Sequence, residues 1–74
     1  ESLRIVLPGR QIGNVSVRIY NSMGNKVIDS EEQTSEGFPL IIDVTHLTGG
    51  VYTMMITNTT TNYTDISRFV VVRH

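Results

Sequence analysis

In NVSVRIYNSMGNKVID, residues 14–29, the first seven side chains alternate. Val15, Val17 and Ile19 fall on one side of an extended chain, and Ser16, Arg18 and Tyr20 on the other. A period of two places one face in a core and the other in water. Asn21 to Gly24 then carry the chemistry of a tight turn. Asn21 can hydrogen-bond the backbone ahead of it, and Gly24 can take the positive φ that closes the loop. "NKVID" (25–29) returns as the antiparallel partner, so the stretch reads as a hairpin.

The same reading extends outward. "SLRIVL" (2–7) alternates Leu3, Ile5 and Leu7 against Arg4 and Val6, and Pro8-Gly9 stops it. "SEEQTSEG" (30–37) is acidic and aperiodic, which predicts a mobile loop. "FPLIIDV" (38–44) reads as a strand with Pro39 at its start or on an edge, because proline cannot donate to a ladder. "THLTGG" (45–50) is a tight connection in which Leu47 is expected to plug the core. Gly49 and Gly50 let the chain enter the next strand, 51–57, with Tyr52, Met54 and Ile56 on one face. "NTTTN" (58–62) is a second hairpin connection, and residues 63–74 form the closing strand.

Composition agrees. Val, Ile and Thr supply 26 of the 74 residues and alanine none, a bias that favours pleated structure over helix. The expected fold is an all-β, immunoglobulin-like antiparallel β-sandwich of six to seven short strands; a small open barrel is the alternative. A chain of 74 residues is one small domain, and the absence of cysteine leaves packing as its only staple. The opening without Met suggests a domain excised from a larger protein.

A net charge of −1, with the six Lys and Arg residues scattered, argues against nucleic acid or an anionic membrane as partner. No apolar run is long enough to span a bilayer as a helix. Asp43 and His46 lie three residues apart, but two ligands without a third make no tetrahedral metal site. The acidic run at Glu31, Glu32 and Glu36 lacks the ligand spacing of a calcium loop. We therefore expect no catalytic residues, no metal and no cofactor. Sequons at Asn14, Asn58 and Asn62 are commonplace in a chain this rich in Asn and Thr.

"LII" (40–42), "TMMI" (53–56) and "FVVV" (69–72) place apolar groups on both faces of their strands. Some of Ile41, Met55, Val70 and Val72 should then face outward and form an apolar stripe, a feature that often marks a binding site. A neighbouring part of a parent protein could equally cover it.

The order of these elements resembles one family. "VSVRIYNSMGNKVID", "LIIDVTHLTGGVYTMMI" and "SRFVVVR" look like the C-terminal sorting domain, type A, of type IX secretion cargo proteins in Bacteroidetes. Ile19-Tyr20, Gly24, Val27, Ile42-Asp43-Val44-Thr45, Leu47, Gly50-Val51-Tyr52 and Arg68-Phe69-Val70-Val71 fill the family's pattern. Two features depart from it: Arg73 followed by His74 replaces the usual closing Lys, and the segment before the last strand is longer and richer in Thr.

The resemblance implies a single non-catalytic domain, 1–74, at the end of a larger cargo protein. It would direct that cargo from the periplasm across the outer membrane to the medium or the cell surface. The implied partners are the type IX translocon and a surface sortase that cleaves some cargoes, with no nucleic acid and no membrane insertion. Arg68, Phe69, Val70, Val71, Val72 and Arg73 are the expected recognition residues; Tyr20, Gly24, Asp43, Leu47, Gly50 and Tyr52 are expected to be structural. An open strand edge would also permit a homodimer. An adhesion or carbohydrate-binding module, or a spacer of a surface protein, remains the alternative.

Overall fold

The structure, a computed structural model, describes residues 2–5, 11–35, 38 and 40–72. Six strands form within them: β1 (Ser2–Ile5), β2 (Gly13–Tyr20), β3 (Lys26–Thr34), β4 (Leu40–Asp43), β5 (Gly50–Asn58) and β6 (Thr64–Val71). Four make one antiparallel sheet in the order β3-β2-β5-β6, and β1 pairs with β4 antiparallel in a second, two-stranded sheet. The chain is all-β, as its composition predicts.

The alternation in β2 holds on its apolar face, but of the three residues expected in water Arg18 is exposed, Tyr20 partly buried and Ser16 buried. Val15, Val17 and Ile19 are buried, opposite the Asn58, Ile56 and Met54 positions of β5. Leu40 and Ile42 of β4, Val44 and the expected plug Leu47 join the same core, as do Tyr52, Met54, Ile56 and Val71. The two sheets thus share one apolar interior.

The β2–β3 turn is closed by one side chain. Asn21 Oδ1 accepts from the backbone N–H of Met23 and of Asn25, each at 3.0 Å. Gly24 takes φ +86°, a left-handed conformation that costs glycine nothing. Just inside the turn the register shifts between Ile19 and Tyr20, which pair with Ile28 and Lys26, so Val27 is the extra residue of a bulge. The β5–β6 turn repeats the device. Asn58 Oδ1 accepts from Thr60 N at 2.9 Å and Thr61 N at 3.2 Å, while Asn62 stands at φ +62°.

Three expectations need correction. Residues 30–34 are not loop: β3 runs on to Thr34, paired with β2 back to Gly13. Their inward positions are polar and held by hydrogen bonds, which leaves no hydrophobic period to read. The Ser30 hydroxyl donates to the Glu32 carboxylate, and Thr34 Oγ1 donates to Gln11 O at 2.6 Å while accepting from Gly13 N at 3.0 Å. The strand expected over 38–44 is the shorter β4, and Phe38 lies exposed before it. The Phe38 N–H donates instead to Ser35 O at 3.2 Å. The closing strand ends at Val71 rather than reaching the terminus. Residues 6–10, 36–37, Pro39, Arg73 and His74 lie outside the described residues, and so do the expectations placed on them.

Candidate interaction surface

Among the described residues β6 is an outer member of the four-stranded sheet and pairs with β5 alone. Its register is unbroken from Thr57↔Thr64 to Gly50↔Val71. Alternation therefore divides the expected recognition residues between two faces. Val71 is only 5% exposed and Phe69 is half-buried, both packed on the core side. The Phe69 ring stacks on Tyr52 with centroids 5.6 Å apart. Val70 and Val72, each 63% exposed, and the exposed Arg68 face outward. Arg73 lies outside the described residues.

The outward set has members that the sequence reading left out. Ile66 is 65% exposed, two residues before Arg68 on the same face. Val51 is 48% exposed and pairs with Val70, while Met55, which was expected on this face, is partly buried and pairs with Ile66. Between these apolar rungs lies a polar one, Tyr20–Thr53–Arg68, read straight across β2, β5 and β6. The signal was present as parity: Ile66, Arg68, Val70 and Val72 share even numbers in one strand. Ile41, expected in the same stripe, is 57% exposed but belongs to the two-stranded sheet.

The residues assigned to scaffolding gather elsewhere. Asp43, Leu47 and Tyr52 line one cleft of about 440 Å³ together with Asn21, Val27, Ile28, His46 and Thr48. Asp43 Oδ1 accepts from Thr45 N at 2.9 Å and caps the turn after β4. Hydrogen bonds from Thr45 hold the Asp43 carboxyl below the usual carboxylate range, with the nearby His46 adding to the effect. Leu47 N donates to Val44 O at 3.0 Å, completing that turn. Tyr52 is buried but for its hydroxyl end, which donates to Thr48 O at 2.7 Å. Asn21, Asp43 and Tyr52 here each hydrogen-bond the chain's own backbone. Gly50 opens β5 at φ +156° opposite Val71, and Tyr20 and Gly24 border a shallow depression with Val51, Thr53 and Arg68.

Gln11 escaped the sequence reading altogether. It is fully buried, and its Nε2 donates to Ile56 O at 3.1 Å and to Asp65 Oδ2 at 3.0 Å. It ties the entry of β2 to the β5–β6 hairpin. Among the described residues no group of three or more His, Asp and Glu side chains gathers to hold a metal ion.

A Tyr that closes its own loop, an Asp capping the turn after β4, and a last strand half turned outward form a frame with one distinctive exposed face. No curated protein and no solved structure matches the chain. The family model for the secretion system C-terminal sorting domain matches residues 1–72. The chain belongs to that family, the C-terminal sorting domains of type IX secretion.

Proposed function

We propose that the chain is a single, non-catalytic sorting domain at the end of a larger cargo protein, and that the outward face of β6 is what the export machinery reads. In this reading the cargo passes through the periplasm, and the type IX translocon carries it across the outer membrane. A surface sortase then either removes the domain or leaves it attached. The two sheets and their shared core fit an immunoglobulin-like sandwich. One observation carries the functional reading: the last strand lies at a sheet edge with Arg68, Val70 and Val72 turned to solvent, while Phe69 and Val71 anchor it from below. A label must fold and present a surface, and this arrangement supports both needs.

The test is a secreted reporter fused to residues 1–74 in a type IX-competent cell. The intact fusion should reach the medium or the cell surface. Deleting residues 69–74 should leave the reporter in the periplasm, as fractionation and immunoblotting would reveal. Replacing Glu31 and Glu32 with Ala, on the opposite edge strand, should leave export intact. Export of the truncated fusion at the normal level would refute the reading.

A further inference from the structure

Among the described residues one side of the β6 backbone pairs with no strand, and the hydrogen bonds tell which residues own it. Asn58 N donates to Tyr63 O at 2.8 Å, so this pair is a hydrogen-bonded rung. Antiparallel rungs alternate between bonded and non-bonded pairs. Ile56↔Asp65, Met54↔Ser67, Tyr52↔Phe69 and Gly50↔Val71 are then the bonded pairs of the β5–β6 ladder. The other side of β5 checks the phase: Thr59 N donates to Asn14 O at 3.0 Å, which turns the odd-numbered β5 residues toward β2. It follows that the N–H and C=O groups of Thr64, Ile66, Arg68 and Val70 point away from the sheet.

The same four residues carry the outward side chains. Backbone donors and acceptors and exposed side chains therefore coincide at alternate positions along one edge. That edge is undefended. β3, at the far side of the sheet, bears Lys26, Asp29, Glu31 and Glu32, and its pairing with β2 is interrupted by a bulge. Charges and bulges of this kind discourage edge pairing. β6 is eight residues long, regular and free of proline, with Arg68 as its one outward charge. Arg68 makes no ion pair among the described residues.

We infer that the free edge of β6 takes an extended segment of a partner polypeptide as a fifth, antiparallel strand, and that this segment carries a carboxylate between two aliphatic residues. Directly opposite Ile66, Arg68 and Val70, its side chains fall on the same face as theirs. A carboxylate there meets the Arg68 guanidinium, and aliphatic groups two residues to either side extend the rungs Met55–Ile66 and Val51–Val70. The inference rests on the sorting reading for its biological setting and names the partner's chemistry.

The probe is the peptide acetyl-Thr-Val-Thr-Glu-Thr-Val-Thr-amide, titrated into the 74-residue chain and followed by residue-resolved NMR. Shift changes and slowed amide exchange should concentrate at Ile66, Arg68 and Val70. A peptide with Lys for Glu should bind the native chain about threefold to tenfold more weakly. Arg68→Glu should reverse that order, preferring the Lys peptide. Absence of binding, equal binding of the two peptides, or self-association of the chain through β6 in place of peptide binding would each overturn the inference. Export gives an independent readout. Ile66→Pro removes an edge-facing N–H together with the outward isoleucine side chain, breaks no bond of the β5–β6 ladder, and should reduce export at least about tenfold in a protein that still melts cooperatively. If it and Arg68→Glu are exported normally while deletion of 69–74 is not, the sorting reading stands and strand addition fails. Normal export of the deletion itself fails the sorting reading.

Discussion

Ile19→Ala should cost about 3 kcal/mol of stability. Ile19 is fully buried at the centre of the core, beside the bulge and opposite Met54. Removing its three outer carbons forfeits their transfer energy and leaves a cavity that close-packed neighbours fill only in part. A domain of this size has roughly 4–11 kcal/mol in total, so the loss is a large fraction of it. The melting temperature should fall by about 12–24 °C in a thermal unfolding scan. Ile66→Ala is the matched control, an isoleucine of the same sheet that is 65% exposed and should lose less than about 1 kcal/mol. Equal losses at the two sites would mean that the inner and outer faces are misassigned.

The second large effect separates two neighbouring valines. Val71→Asp puts a carboxylate where only 5% of the residue is exposed, at a position that belongs to the buried apolar core. An unpaired charge cannot be desolvated there without a penalty of several kcal/mol, so the domain should unfold and the fusion should be degraded. Val70→Asp combined with Val72→Asp adds two charges to positions that are each 63% exposed. Stability should change by less than about 1 kcal/mol, while export falls at least about tenfold because an apolar face has become anionic. Circular dichroism of the purified domain and fractionation of the fusion separate loss of fold from loss of signal. Normal export of the double variant would remove the outward face of β6 from the signal.

How far these features could be read beforehand depends on where the information sits. β2 was legible because its apolar side chains alternate toward a core, and the Asn21–Gly24 turn because its geometry demands those residue types. The second half of β3 was not. Ser30, Glu32 and Thr34 occupy inward positions by hydrogen bonding, and polar residues there look like loop. Gln11 was invisible for another reason: the atoms it binds lie 45 and 54 residues further along the chain, and no local pattern encodes them. In β6 the run of valines concealed its own parity. Only the register against β5 tells that Val71 belongs to the core and that Val70 and Val72 do not. The order of strands, which leaves β6 at an edge, is likewise a property of the whole sheet.

A backbone half used and half free along β6 is the feature on which the proposed recognition rests. Residue-resolved amide hydrogen exchange of the isolated chain reads it directly. The amides of Ser67, Phe69 and Val71 donate into the β5–β6 ladder and should exchange at least about tenfold more slowly than those of Ile66, Arg68 and Val70. Equal protection along β6 would mean that the outer side is already covered, and equal exposure that the strand is not docked. Either result would contradict an edge held in place and open to a partner.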